Sequence, residues 1–533
     1  MRTSLRNSRL TLAVFLFSAL LTSCGAPDTP PAIADNLRRG LGGEPATLDP
    51  AGAADAFTSQ VVRDLYEGLT RESPSGAAIP GIAASWDIDA TGTQYTFHIR
   101  ANAHWSNGKP LRAADFVTAW RRVVDPKQDS LVADNLRLIR GAAEIISGKA
   151  TPDTLGVAAP ADDVLVVTLE RPAPYLPEVL THSAAFPIYS EISARAHDPA
   201  ESVTDGPYVL SRWQNGGSIK LKKNAAYWDA ANVHITTIDY EFASDETSQY
   251  ARYRAGQLDV TDNVPMSAIP DFQKDRAREL VTAPYLATAY YGFNLAARPL
   301  ANNVKLRQAL SMAIDRKRLV ASFGFGEPPA YGFVPPGVWN YQQQSLPWKD
   351  LSDEARIAEA QRLYREAGYS SQSPLRLRVL YNSNVVIKRT AIMIASMWKE
   401  TLGIDTELTE QEFRAFLVTR HDKTQWDVAR FSWVADFDDA SNFLDILRTN
   451  SSNNDEGYSN TAYDALLDEA ARTADPAARS HILESAEKMA LDDYPITPLY
   501  HFVSKRLVKP YITGVQPSPL DHVPSSALSI QPH

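Results

Sequence analysis

The sequence predicts a mixed α/β protein built in several lobes, and three observations carry that reading. The chain has 533 residues, enough for three or four folding units at about 150 residues each. Apolar residues make up 44% and charged residues 22%, the balance of a chain that folds around cores and does not stay disordered. Short runs of period-two alternation and longer runs of helical spacing mix along it without strict βαβ order. No repeat of fixed period appears, which sets solenoids and propellers aside.

At the N-terminus, Arg2, Arg6 and Arg9 precede the one long apolar run, residues 10–21, which ends in Leu21-Thr22-Ser23-Cys24-Gly25. The run is too short to span a bilayer comfortably and has the charged start of a secretory signal. Its ending resembles a bacterial lipoprotein signal, which implies removal of residues 1–23 and a lipid on Cys24. More than one acyl chain suffices for stable attachment. Cys24 is the only cysteine, so the exported body would have no thiol and no disulfide, and a chain this long folds on burial alone. Residues 24–36, rich in Pro and Ala, read as a flexible tether.

Alternation predicts strands at residues 95–100, where Tyr95, Phe97 and Ile99 share a face, and at 164–170, 218–222 and 375–380. Helical spacing places Phe116, Val117, Trp120, Val123 and Val124 on one face of a helix over 113–124. Residues 141–149 lack the glycine spacing of a phosphate loop and read as a helix ended by Gly148. Further helices are expected at 304–323, 353–367 (stopped by Gly368), 386–402 (stopped by Gly403), 461–473 and 477–491.

Lys and Arg number 53 against 63 Asp and Glu, and no dense basic run exists, so a nucleic-acid partner is not expected. The enzyme templates fail: there is no H-E-x-x-H, G-x-S-x-G or C-x-x-C, and the ten histidines are scattered. No catalytic residue, metal ligand or cofactor is expected. Asp436, Asp438 and Asp439 suggest calcium, but the sixth residue from Asp436 is Ser441 and the twelfth Leu447, where a hand-type loop needs Gly and Glu. Asp438 and Asp439 read instead as caps for a helix at 442–448. Asp436 follows Trp433-Val434-Ala435 and so expects a partly dry setting, which calls for a cation. Arg430, six residues upstream, or a ligand amine would supply it.

A series of segments then accumulates in order: EPATLDP at 44–50, DLYEGL at 64–69, PGIAASW at 80–86 and YTFHIRANAHWSNGKP at 95–110. ADFVTAWR at 114–121, GPYVL at 206–210, RQALSMAIDR at 307–316 and RFSWVAD at 430–436 follow. On these the chain resembles, from about residue 41 to 520, the periplasmic oligopeptide-binding proteins of ABC importers, the peptide/nickel class of extracellular solute-binding proteins. The resemblance implies a two-lobed hinged trap with an inserted domain, three domains in all. Residues 37–56, 183–285 and 502–533 would form a discontinuous lobe-1 domain, 57–182 the insert, and 286–501 lobe 2. It implies a monomeric receptor, not an enzyme, that takes oligopeptides with a free α-amino terminus and delivers them to an ABC permease. Its place would be the periplasm or the outer face of a bacterial membrane, the choice of membrane left open.

By the same resemblance, Asp436 pairs with the ligand's α-ammonium, and Trp433 lies beside it on the strand that pairs with the peptide. Arg430 and Arg420 match basic residues near the peptide's carboxyl end. Phe413 stands where relatives carry a Trp lining a side-chain pocket, and Glu44 matches an acid of the opposing lobe near an early ligand side chain. The chain departs from the pattern at Ile387, where some relatives have a His for the carboxyl end. Ala287 and Val434 replace a flanking Cys pair. Asp438 and Asp439 add acid that suggests a preference for basic or differently sized peptides. Other readings on the same fold are a receptor for a murein peptide, a metal chelate or haem, or a peptide sensor uncoupled from import.

Overall fold

The computed structural model describes residues 35–532 apart from 190–201, 244, 325, 371 and the side chains of Gln273 and Asp275. Cys24, the signal and the tether as far as residue 34 lie outside the described residues. In chain order the main strands are β1 (Asn36–Leu41), β2 (Ala83–Ile88), β3 (Gln94–Ile99), β4 (Val157–Ala161), β5 (Val164–Thr168), β6 (Tyr208–Gln214) and β7 (Ser218–Lys223). They continue as β8 (Thr237–Phe242), β9 (Leu280–Phe293), β10 (Arg376–Asn382), β11 (Asp405–Gln411), β12 (Val428–Val434) and β13 (Ile496–Leu507). Three sheets result, with strand orders β1-β8-β7-β6, β2-β3-β5-β4 and β11-β10-β12-β9-β13.

The first two sheets share one apolar core, in which Leu37 and Tyr240 of the first meet Phe97 and Leu165 of the second. The helix Ala113–Val124 closes that core with Phe116, Trp120 and Val123, and the Trp120 indole donates to the Ala185 carbonyl at 2.9 Å. The five-stranded sheet is covered on both faces. Successive strand residues point to opposite sides, so Tyr291 enters the core of Trp398 and Trp348 while its neighbour Tyr290 enters that of Phe431 and Trp426. No described helix is long and apolar enough to cross a membrane.

Two long strands run from one half of the molecule into the other. β9 and β13 pair antiparallel from Leu280↔Leu507 to Pro284↔Val503, and again from Thr288↔His501 to Gly292↔Ile496. Between these stretches, residues 285–287 of β9 face Phe502 alone, a bulge that bends the ribbon. At one end Leu507 packs with Tyr253, Leu258 and Phe272; at the other the two strands are the edge of the five-stranded sheet (β13) and its neighbour (β9). This bent crossing is the hinge of a two-lobed fold.

The amphipathic elements appear where their spacing put them, including the helices Asp353–Glu366, Val385–Leu402, Thr461–Arg472 and Pro476–Asp493. The expected helix over 304–323 is two, Val304–Met312 and Arg316–Ala321. Asp315 interrupts it because its carboxylate caps the second helix, accepting the Arg318 amide at 2.9 Å. β1 begins at Asn36, inside the stretch expected to be tether. Arg316 ties the second lobe together from within. It is 1% exposed and donates to the carbonyls of Ala330, Pro498 and Ser311 at 2.9, 2.8 and 3.0 Å and to the Thr497 hydroxyl at 2.7 Å. Arg316→Ala strands these acceptors, so the melting midpoint should drop by the equivalent of about 3 kcal/mol or more. Arg316→Lys should recover only part, since an ammonium lacks the planar fork.

Candidate functional site

The site is built on β12. The Ala435 amide donates to the Leu286 carbonyl at 2.8 Å, and the register runs from Ala287↔Val434 to Phe293↔Val428. Antiparallel pairs alternate between bonded and non-bonded, so Trp433, Phe431 and Ala429 exchange hydrogen bonds with β9. The peptide groups of Arg430, Ser432 and Val434 point the other way. On that side β10 pairs only through Val379↔Val428 and Leu380↔Ala429. Beyond Ala429 the edge at Ser432 and Val434 has no strand beside it among the described residues.

Asp436 stands just past this open edge. Asn442, 8% exposed, holds the place: its side-chain oxygen accepts the Trp433 indole N–H at 2.8 Å and the Asp436 amide at 3.3 Å. Solvent reaches the Asp436 carboxylate, yet the surrounding wall strips enough water to raise its pKa above the ordinary carboxylate value, against a lowering hydrogen bond from Asn442. Among the described residues it has no ion-pair partner. Arg430 is not that partner. Its guanidinium makes one long contact, 3.5 Å to the Asn382 side-chain oxygen. It sits among Tyr290, Tyr291 and Tyr500, where loss of water pulls its pKa down. One open strand edge thus carries an unmatched anion at one end and an unmatched cation at the other.

The remaining sequence candidates divide. Arg420 is already engaged, donating to Asp455 at 2.7 Å and lying over the Phe431 ring at 4.5 Å. His421 shares the same Asp455. Next in the chain, Glu456 is fully buried with both side-chain oxygens unpartnered, and burial pushes its pKa up to about 8, so it is neutral at pH 7. Phe413 is 52% exposed, stacked on Phe416, and is no core residue. Glu44 lies in the loop after β1, where its carboxylate accepts the Trp213 indole N–H and the Gly216 amide, both at 2.9 Å. Ile387 lines a small recess together with Arg430, Thr390 and Tyr500. Ala287 and Val434 face each other directly across β9 and β12.

Asp438 and Asp439 turn away from the role suggested for them. Asp439 pairs with Arg479 at 2.6 and 2.8 Å and accepts the Ser441 amide at 2.9 Å, while Asp438 accepts the Trp339 amide at 2.8 Å. Each is 2% exposed. They are internal structural groups, and the preference for basic peptides loses its basis. Sequence reasoning missed Asn442, and it missed Tyr285 in the hinge bulge. The Tyr285 phenol is pushed up by burial and by the charges of Asp521, Asp262 and Asp436. Among the described residues no cluster of His, Cys, Asp or Glu is arranged to hold a metal ion.

Two α/β lobes joined by a bent two-stranded crossing, with an unpaired strand edge beside it, form the architecture of a solute-binding receptor. The profile described as bacterial extracellular solute-binding proteins, family 5 Middle, matches residues 77–455, and the chain belongs to that family of receptors, which are not enzymes. It is 36% identical over 537 residues to the periplasmic oligopeptide-binding protein OppA of Salmonella typhimurium, covering 98% of each chain. Among solved structures it resembles the unliganded open form of the murein tripeptide binding protein MppA with a TM-score of 0.84 and 35% identity, covering 93% of this chain and 97% of that one. Against Haemophilus influenzae OppA in complex with RPPGFSPFR the TM-score is 0.75 at 33% identity, over 93% of this chain and 99% of that one.

Gly292 lets Glu456 and Phe431 close up beneath the site. A Cβ there would lie 2.5 Å from the Phe431 ring and 2.6 Å from a Glu456 oxygen. Gly292→Ala should therefore displace the ring on which Arg420 rests and destabilise the protein by roughly 1–3 kcal/mol, measured as a lower denaturation midpoint.

Proposed function

We propose that this protein captures peptides with a free α-amino terminus between its two lobes and hands them to an ABC permease. The observation that carries the reading is the pair of unmatched charges, Asp436 and Arg430, at the two ends of the open edge of β12. A short peptide in extended form has the complementary features: an ammonium, a carboxylate, and a line of main-chain donors and acceptors between them. Backbone pairing at Ser432 and Val434 gives affinity without reading side chains, and the charged ends supply stronger, charge-assisted bonds. A neutral or anionic ligand would leave Asp436 without a cation, which disfavours haem and most chelates. A murein peptide satisfies the same groups and is one member of the proposed ligand class. Trp433 would wall the ammonium site, and Phe413 and Glu44 would border side-chain space from opposite lobes. Arg420 would act near the carboxyl end through the Phe431 ring and Arg430.

The division into residues 37–56, 183–285 and 502–533, the insert 57–182 and lobe 2 at 286–501 belongs to this reading, as do a monomeric state and a lipid on Cys24 that keeps the receptor at the outer face of a bacterial membrane.

Asp436→Ala should weaken binding of trialanine by roughly 1.5–3 kcal/mol and leave N-acetyl-trialanine nearly unchanged in titration calorimetry. Equal losses for both peptides would make Asp436 structural. The binding form is the carboxylate, so affinity for trialanine should fall as pH drops through the free Asp436 pKa, which lies above the ordinary value. It should fall again above about pH 8 as the peptide amine loses its proton, while the acetylated peptide shows no alkaline limb. Cys24→Ser should move the protein from the detergent phase to the aqueous phase on extraction of expressing bacteria. Retention in the detergent phase would exclude this anchor.

A further inference from the structure

The inserted domain reaches the loop that carries Asp436. Phe437, next in the chain, lies flat on the Tyr175 ring, with centroids 5.6 Å apart and planes 9° from parallel. Tyr175 precedes the short helix Leu176–Val179 of the insert and is 5% exposed. The Arg479 guanidinium of lobe 2 sits 4.4 Å over the same ring while gripping Asp439. A second contact comes from the insert's hairpin. At Gly76 (φ +89°) a Cβ would come within 3.0 Å of the Asp438 carboxylate and 2.9 Å of Pro519, so the tip presses against the loop.

Asp436 therefore hangs between two anchors. Asn442 fixes its amide from within lobe 2, and Phe437 is clamped by a ring from another domain. We infer that Tyr175 is a positioning residue for the ammonium site: through its stack on Phe437, the inserted domain sets where the Asp436 carboxylate stands. This rests on the proposed role of Asp436 and adds a task for the insert, which otherwise lies apart from the open strand edge. Removing the ring frees one end of a loop whose carboxylate must meet an ammonium at hydrogen-bond distance. The effect should fall on amine recognition and spare the backbone edge at Ser432 and Val434, which β9 holds independently.

The experiment compares trialanine with N-acetyl-trialanine on the full chain by titration calorimetry. Tyr175→Ala should weaken trialanine about five- to tenfold, the scale of a lost aromatic pair, and N-acetyl-trialanine less than about twofold. Tyr175→Phe, which keeps the stack, should restore the wild-type ratio. Phe437→Leu probes the same clamp from the loop side, should the first variant fold poorly, and should show the same selectivity. Equal weakening of both peptides by these variants, or no weakening, overturns the inference. Asp436→Ala in the same series separates the two levels. If it is selective and the Tyr175 and Phe437 variants are not, only the positioning role fails; if it is unselective, the underlying ammonium site fails.

Discussion

A carboxylate set in a crowded wall with no protein cation beside it is held at a free-energy disadvantage until something positive arrives. Asp436 tends toward that position: it is open to solvent, yet its surroundings raise its pKa, and among the described residues it has no ion-pair partner. The surrounding residues keep it so. Asn442 secures the backbone with a neutral side chain, Trp433 presents an indole whose only polar atom is already bonded to Asn442, and Arg430 is turned toward Tyr291 and Tyr500. Had Arg430 folded back onto Asp436, the site would be neutral and closed to an amine. The extended backbone of β12 prevents this by holding the two residues apart, at about 3.3 Å per strand residue.

The same strand explains why an exposed edge survives in the middle of a sheet. Unpaired edges invite other chains, and here β10 covers β12 only as far as Ala429. The uncovered part lies beside the hinge, where β9 and β13 bend at residues 285–287 and pass into the first lobe. On the proposed reading, that edge is left free for a single extended chain.

Much of this was legible in the sequence where the signal was local. The helix Ala113–Val124 and the strand Gln94–Ile99 each bury one face and expose the other, so their periods survive in the residues. β9 and β13 escaped because long stretches are buried on both sides, which erases alternation. Trp433, Val434 and Ala435 predicted a partly dry setting for Asp436; the residue is exposed to solvent, and its surroundings still raise its pKa. What no local pattern encodes is the partner brought from afar. Trp213 comes to Glu44 across 169 residues and Arg479 to Asp439 across 40. The second of these made Asp439 an internal strut, as the Trp339 amide did Asp438, and Asn442 was hidden behind the helix-capping reading of its neighbours.

The two ends of the proposed site are mechanically unlike, and this bears on how one receptor serves many peptides. Asp436 has a short side chain, a backbone tied to Asn442 and a neighbour clamped by Tyr175, so a carboxylate there has little freedom. Arg430 has a long side chain, among the described residues one weak tether at Asn382, and the apolar Ile387 beside it. A guanidinium on a flexible stem can meet a carboxylate over a range of distances, while an aspartate fixed at its base cannot follow an ammonium. On the proposed reading, peptides are therefore aligned from the amino end, and variation in length is absorbed at the carboxyl end. Selectivity for a free amine and tolerance of sequence then arise from one asymmetry in side-chain reach, without any pocket having to read a particular residue.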